Sequence, residues 1–300
     1  MIIVDLNQVI ISSLMASLGT HAPKLINKTE DEGTYENESL LRHFVLNSIR
    51  SYNHKFKDKY GELVIACDAT DYWRKDIFPY YKQNRKKDRD ASELDWNVLF
   101  KSLNKIRDEI ITFLPYRVIR IDRAEADDVI ASLCHEFGNT SQKIMIVSGD
   151  KDFKQLQSYV NVEQYDPVRK KKIVEKNPEA YLKEHIMRGD GGDGIPNFLS
   201  PDDKFVTGVR AKPISAKNIN KWIYMKPAEF CDDHMLRGYK RNEALVDLQL
   251  IPENIKIATI ESYNEQVDKH KQNNRMLTYF IEKRLKNLTE VITQFKVNHG

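Results

Sequence analysis

Two aspartates one residue apart, Asp150 and Asp152, follow directly on the apolar run Ile144-Met-Ile-Val147. A continuous apolar stretch of that length, closed by Ser148-Gly149, reads as a strand buried on both faces, as in a parallel sheet. Ligands of open parallel sheets bind beyond the carboxyl ends of the strands, where these two carboxylates stand. Left unpaired there, they raise each other's pKa, and a cation between them removes the conflict. The pattern recurs: Ile2-Ile-Val4 runs into Asp5, and Leu63-Val-Ile-Ala-Cys67 into Asp68. A further acidic set, Glu125, Asp127 and Asp128, sits where a strand hands over to a helix, and Asp190 and Asp193 lie in Gly189-Asp-Gly-Gly-Asp-Gly194.

A lone aspartate after a strand is commonly a cap or a turn former. Several delivered by parallel strands to one sheet edge carry more weight. Asp122 and Asp166 also follow strands but have no acidic companion, so they are read as turn formers. The string 189–194 matches the dinucleotide pattern G-x-G-x-x-G. It follows a helix rather than a strand, and its acids would repel a pyrophosphate; flexible glycine backbone with two carboxylates suits a divalent cation better. Carboxylates without His or Cys partners select Mg²⁺ or Mn²⁺ over zinc. Two such ions about 4 Å apart stabilise the attacking and leaving oxygens of a phosphodiester displacement. The basic counterpart is Tyr72-Trp73-Arg74-Lys75 with Tyr80-Tyr81-Lys82-Gln83-Asn84-Arg85-Lys86-Lys87. Aromatics stack on bases while Lys and Arg hold phosphates, so this stretch is a candidate single-strand platform.

The elements that must position these groups alternate. Strands are expected at Ile2–Val4, Leu63–Cys67, Arg117–Ile121, Ile144–Val147 and Asn161–Tyr165. A loop is expected over Gly19–Glu38, and a helix from Ser39 to about Lys59. A long helix follows, opened by a Ser92-x-x-Asp95 capping box, running through Leu94 and stopped by Pro115. Further helices begin at Glu125 and near Phe153. Such alternation marks an α/β fold with a mostly parallel central sheet flanked by helices. Beyond Tyr165 the pattern changes: a basic hairpin at Arg169–Lys172, a helix at Pro178–Arg188, one around Ser215–Tyr224, and helices to the end. The expected division is an α/β part over 1–175 and a smaller helical region over 176–300.

Composition fits this reading. The 300 residues are 41% hydrophobic and 30% charged, with a formal net charge of +3, in the range of globular proteins. No apolar run approaches the roughly 20 residues that span a bilayer, so no membrane is expected. Three scattered cysteines make no disulfide framework, and Cys231-x-x-His234 lacks a second pair to complete a zinc site. The expected setting is cytoplasmic.

The ordered set Asp5, Cys67-Asp68, Tyr72-Trp73-Arg74, Tyr80-Tyr81-Lys82-x-Asn84-Arg85, Glu125-Ala-x-Asp128, Ser148-Gly-Asp150-x-Asp152-Phe153 and Gly189-Asp190-x-x-Asp193 resembles the 5′-nuclease (flap endonuclease) superfamily, and within it the branch of T-even phage ribonucleases H. Ile251-Pro-x-Asn-Ile255 and Tyr279-Phe280 extend the likeness through nearly the whole chain. The resemblance implies a PIN-like catalytic domain and a Mg²⁺-dependent hydrolase of 5′ ends, RNA primers and flaps in lagging-strand replication, with Mn²⁺ as a substitute. It implies that Asp5, Asp68, Glu125, Asp127 and Asp150 hold one ion and Asp152, Asp190 and Asp193 a second, with Asp128 in support. Lys82 and Arg85 fall at the base of a helical arch, over about 71–90, where they would contact the scissile phosphate; with Asp127 and Asp150 they are the candidate catalytic residues. Candidate nucleic-acid contacts are Tyr72, Trp73, Arg74, Lys75, Tyr81, Lys82, Arg85, Lys86 and Lys87, and, in the helical region, Arg210, Lys212 and Lys217.

One departure bears on cofactors. Gly194-Ile-Pro-Asn197 leads into a longer polar stretch where relatives carry a compact helix–hairpin–helix, which leaves a K⁺ site open. Expected partners are DNA and RNA–DNA hybrid with 5′ single-stranded ends or flaps, and a single-strand-binding protein or sliding clamp; the C-terminal helix Met276–Phe295 is read first as core packing and second as a docking candidate, and the chain is expected to be a monomer in the cytoplasm of an infected bacterium. The competing readings are a PIN-type endoribonuclease cutting single-stranded RNA, and a junction-binding protein without activity.

Overall fold

The computed structural model describes residues 1–18, 34–92, 95–269 and 273–296. Six strands, β1 (Ile2–Asp5), β2 (Leu63–Ala66), β3 (Arg117–Ile119), β4 (Ile144–Val147), β5 (Val162–Asp166) and β6 (Lys171–Ile173), form one sheet in the order β3-β2-β1-β4-β5-β6. All neighbours are parallel except β6, which returns antiparallel to β5 as a basic hairpin. The strand order reverses between β1 and β4, where Ile2, Ile3 and Val4 pair with Met145, Ile146 and Val147. A crevice opens at such a switch point beyond the strand ends.

The unbroken apolar runs are explained by burial on both sides of the sheet. Alternate residues face opposite ways: Ile2, Val4, Leu63, Ile65, Met145 and Val147 enter one core, and Ile3, Val64, Ala66, Ile144 and Ile146 another. The first is covered by helices Leu6–Leu18, Thr34–Tyr60 and Trp96–Phe113; the second by helix Ala126–Phe137, the 3-10 turn Lys151–Ser158 and helix Glu253–Glu265. A third core, built from Ile186, Ile195, Phe198, Ile219, Tyr239 and Val246, joins helices Pro178–Arg188, Ala216–Trp222 and Asp233–Val246 to Phe78 and Tyr81 of the basic stretch.

Several expectations are adjusted. Helix Leu6–Leu18 was not read from the sequence, and the following helix already runs from Thr34; the rest of the expected loop up to residue 33 lies outside the described residues, as does Leu94. The long helix is capped by Asp95, whose carboxylate accepts from Asn97 N and Val98 N at 3.0 and 3.1 Å, and not by Ser92. The C-terminal segment is not one helix. It breaks into Asn273–Glu282, Lys286–Thr289 and the 3-10 turn Ile292–Phe295, with Arg284 at φ 56 turning the chain.

These C-terminal pieces pack on helices Thr34–Tyr60 and Trp96–Phe113 and bury Met276, Tyr279, Phe280, Leu288 and Phe295 in the first core. Tyr279 stacks on Phe113 at 4.8 Å, and its hydroxyl donates to buried Glu109 at 2.8 Å, which also accepts from Arg42. No helix among the described residues is long and apolar enough to cross a membrane. Because Phe280 is fully buried, Phe280→Ala should lower the unfolding free energy by about 3–5 kcal/mol, read from urea melts followed by far-UV circular dichroism.

Candidate active site

Asp5 is the last residue of β1 and Asp150 stands just past β4, so the two flank the switch point. Asp5 accepts from Gln8 N at 3.1 Å and from Ser148 Oγ at 3.3 Å. Asp150 caps the turn Lys151–Ser158 by accepting from Asp152 N at 2.9 Å, and Gln164 Nε2 holds the backbone carbonyl of Asp150 at 2.6 Å. Asp68, just after β2, accepts from Asn7 Nδ2 at 2.6 Å and from Ala126 N at 2.8 Å, which ties it to the start of helix Ala126–Phe137. Asp127 lies in that first turn. Together Asp5, Asp68, Asp127 and Asp150 line one cleft, which Tyr72, Lys82, Arg85 and Arg89 also line. Arg107 and Arg120 also reach it; neither they nor Arg89 was singled out from the sequence, because they sit in segments whose exposed charges look ordinary.

The basic stretch divides into two kinds of residue. Trp73, Arg74 and Tyr81 are 9%, 3% and 3% exposed, which removes them from any single-strand platform. Arg74 instead supplies an internal positive charge. Its guanidinium donates to Asp128 Oδ1 at 2.7 Å, Asp128 Oδ2 at 3.0 Å and Glu125 Oε2 at 2.9 Å, and its Nε to Leu245 O at 2.9 Å. Trp73 Nε1 and Glu125 N also donate to Asp128 Oδ2, at 3.1 and 2.9 Å. Asp128 is therefore fully buried with both oxygens engaged, and the expected support of an ion is corrected to a helix-capping and charge-pairing role. Tyr81 OH bridges Glu125 and Asp193 at 2.8 and 3.0 Å. Lys75, Lys86 and Lys87 are exposed, as are Arg210, Lys212 and Lys217 on the helical layer.

Lys82 and Arg85 hold the basic stretch against the glycine turn. Lys82 pairs with Glu125 and lies 3.6 Å from Asp193, and its backbone N donates to Asp193 O at 2.8 Å. At φ 57 Lys82 occupies the left-handed region, a conformation that persists only where surrounding bonds enforce it. Arg85 pairs with Asp193 and donates to Gly192 O, and Asn84 Nδ2 donates to Gly191 O at 2.8 Å. The turn 189–194 is tight rather than flexible. Gly189, at φ +67, leaves room for carbonyl oxygens of Ile195 and Pro196 that a Cβ would meet at 2.4 Å, and Ile195 N closes onto Asp190 O at 2.7 Å.

Beside the cleft a histidine that sequence reasoning missed joins the acids. His185 Nε2, Asp152 Oδ1 and Asp190 Oδ2 form the one group of three candidate metal-ligand atoms, among the described residues, that lie within 4.8 Å of one another. The signal was its position in the last turn of helix Pro178–Arg188, which Gly189 closes just before Asp190. Asp166, read as a turn former, caps its turn through Val168 N and Arg169 N at 2.9 Å.

The electrostatics show what this crowding costs. Burial, then Asp68 and Asp150, push Asp5 up to about 7. Burial and Asp150 push Asp152 up to about 7. Asp127 rises well above the usual carboxylate range through burial, Asp150 and Asp5, and Asp150 rises chiefly through burial. Against the burial that would raise it, Asp190 is held low by His185 and Lys151. His185 is raised, since Asp190 and Asp152 outweigh its burial. Lys82 likewise stays charged because Glu125 and Asp193 outweigh its burial. An oxygen-rich, crowded acid cluster of this kind, with buried Asp152 Oδ1 and His185 Nε2 lacking a hydrogen-bond partner, fits divalent cations, whose charge reverses the conflict.

The model of the 5′–3′ exonuclease N-terminal resolvase-like domain matches residues 1–186. The chain belongs to the 5′–3′ exonuclease family. Residues 177–295 match the C-terminal domain of T4 RNase H. Ribonuclease H of Enterobacteria phage T4 is 35% identical over 269 residues, covering 86% of this chain and 88% of the relative. Flap endonuclease Xni of Shewanella woodyi is 35% identical over 138 residues, covering 43% and 50%. Among solved structures, the T5 D15 protein co-crystallised with metal ions aligns over 92% of this chain and 98% of its own, at a TM-score of 0.59 and 16% identity. T5 D15 flap endonuclease in a pseudo-enzyme–product complex with DNA and metal ions aligns over 92% and 97%, at 0.56 and 16%; these likenesses show the fold. As a member of this nuclease family, the chain is a metal-dependent phosphodiester hydrolase.

Two outcomes follow from the charges. In EDTA, folded Asp5 and Asp152 bind protons between their ordinary 3.8 and about 7 that the unfolded chain does not. Their stabilising contribution is thus complete below pH 4 and is lost as pH rises through 7; raised His185 acts in the same direction. The melting temperature in EDTA should fall by several degrees from pH 5 to pH 8, at roughly 2–4 °C per kcal/mol, and added Mg²⁺ should raise it more at pH 8. Arg74→Met, which leaves Asp128 and Glu125 buried without their cation, should cost about 3–5 kcal/mol in urea melts.

Proposed function

We propose that this protein is a Mg²⁺-dependent 5′→3′ nuclease that removes RNA primers and 5′ flaps, acting on DNA and RNA–DNA hybrid with single-stranded 5′ ends. The observation that carries this is the cleft at the β1/β4 switch point, lined both by Asp5, Asp68, Asp127 and Asp150 and by Lys82, Arg85 and Arg89. Acids alone would repel a phosphodiester, and cations alone would bind it without a means to hydrolyse it. Family membership and the flap endonuclease name of relatives add support.

In this reading Asp5, Asp68, Asp127 and Asp150, with Glu125 behind them, hold one divalent ion, and Asp152, Asp190 and Asp193 a second. Bound there, the ions would supply Lewis-acid stabilisation of the attacking and leaving oxygens; Mn²⁺ substitutes for Mg²⁺. Lys82 and Arg85 turn from their carboxylate partners toward the scissile phosphate and steady its developing charge. Tyr72 offers a ring at the cleft mouth, and exposed Lys75, Lys86 and Lys87 draw in the single strand. Residues 1–175 form the catalytic part, with 71–90 as the arch; the region 176–300 adds Asp190 and Asp193 to the second ion, and its exposed Arg210, Lys212 and Lys217 grip the duplex backbone. The protein works as a monomer in the cytoplasm, with a single-strand-binding protein or clamp as partner.

The test is a gel assay with a 5′-labelled flap duplex and an RNA-primed template, in Mg²⁺ and in EDTA. Metal-dependent release of short 5′ products is expected, abolished in Asp150→Asn while binding persists. Lys82→Ala should lower turnover by about 10²–10³, the loss from one charge-stabilising donor. Tight binding with no cleavage in either Mg²⁺ or Mn²⁺ would replace the nuclease with a junction-recognition protein.

A further inference from the structure

Two buried atoms of the group Asp152, His185 and Asp190 make no hydrogen bond in the protein, only longer ion-pair contacts within the group. The His185 side chain is 5% exposed, and its Nε2 stands 3.5 Å from Asp152 Oδ1 and 3.6 Å from Asp190 Oδ2. Nε2 and Asp152 Oδ1 are both buried without a hydrogen-bond partner. Buried polar atoms in native proteins are nearly always bonded, and an unbonded pair marks where an ion or water belongs. The spacing agrees. Donors that share an ion at about 2.1 Å stand roughly 3.0–3.5 Å apart; the observed 3.5 and 3.6 Å are long for a hydrogen bond and close to that spacing. On the far side of the ring, Nδ1 lies 3.3 Å from Tyr181 OH. Engaging the second ring nitrogen in this way orients a ligating imidazole and fixes its tautomer.

We propose that His185 is itself a ligand, so that the ion position shared by Asp152 and Asp190 is a mixed nitrogen–oxygen site. This rests on the metal-nuclease reading and adds a residue and a selectivity to it. Carboxylate oxygens suit Mg²⁺ and Mn²⁺ alike, whereas an imidazole nitrogen adds affinity for first-row transition ions, of which Mn²⁺ binds most weakly. The two ion positions therefore differ in chemistry: an all-oxygen one at the β1/β4 crevice, and one at the end of helix Pro178–Arg188 that favours first-row transition ions, with Mn²⁺ as their paramagnetic probe. Lys151, whose ammonium lies 3.1 Å from Asp190 Oδ2, is half exposed and free to swing into solvent when an ion arrives. The competing role for His185 is that of a counter-ion, which needs no ion at all.

The experiment is Mn²⁺ titration of the full chain by electron paramagnetic resonance, with pulsed measurements on protein made with natural and ¹⁵N-labelled histidine. A histidine nitrogen coupling that shifts on labelling and disappears in His185→Gln is the expected result. Mn²⁺ affinity at that position should also fall by at least about 10-fold in the variant, the loss that follows even when only a ligand's partner is removed, with a smaller change in competition by Mg²⁺. The wild-type isotope comparison does not depend on the variant, whose fold circular dichroism would check. Bound Mn²⁺ with no histidine coupling, or coupling unchanged in His185→Gln, would overturn the ligand role and leave the nuclease reading standing. Absence of any Mn²⁺ binding to the wild-type chain would overturn both.

Discussion

Mutual repulsion among carboxylates held in a crevice away from water is the constraint around which this molecule is built. Asp5 and Asp150 flank the switch point of the sheet, Asp68 and Asp127 close in from the next strand and helix, and burial raises the protonation of three of the four. The fold tolerates the arrangement because rigid parallel strands impose it and because cations are built in behind it. Arg74 neutralises Asp128 and Glu125 from within the protein, and Lys82 and Arg85 do the same for Glu125 and Asp193 from the rim. Acids nearest the crevice are left without such partners, and that residue of unbalanced charge is where ions and phosphates find their place.

This division also explains how two layers became one site. Arg74 reaches from the Asp128 carboxylate to the carbonyl of Leu245 in the helical layer. Lys82, Asn84 and Arg85 fasten the basic stretch to the glycine turn that carries Asp190 and Asp193. Polar bonds with demanding geometry, rather than apolar contact alone, thus set the distance between the sheet edge and the second group of acids. The left-handed backbone at Lys82 is a local sign of that restraint.

Much of this was legible in the sequence, for identifiable reasons. Parallel strands buried on both faces leave unbroken apolar runs, so β1, β2 and β4 and the acids that end them could be read directly. Glu125 and Asp128 announced the helix they cap. The errors lie where sequence carries no mark of depth. Trp73, Arg74 and Tyr81 share the composition of a nucleic-acid-binding loop, yet they point inward because the helical layer packs over them. His185 is separated from Asp190 by a helix end, and only the closed glycine turn brings them together. Asp95 rather than Ser92 caps its helix, a choice between two equally suitable side chains three residues apart. The break of the C-terminal segment at Arg284 goes with packing against helices Thr34–Tyr60 and Trp96–Phe113, which helical spacing alone does not reveal.

That C-terminal return has a consequence for how the protein is made. Phe280, Leu288 and Phe295 complete the core to which Ile2 and Val4 contribute. Helices Leu6–Leu18, Thr34–Tyr60 and Trp96–Phe113 can cover that face of the sheet as they are made, long before these residues appear. Domains generally fold as units, yet Phe113, Glu109 and Asn53 find their partners Tyr279 and Gln294 only far along the chain. The nascent chain therefore carries a first core that is roofed early and sealed late.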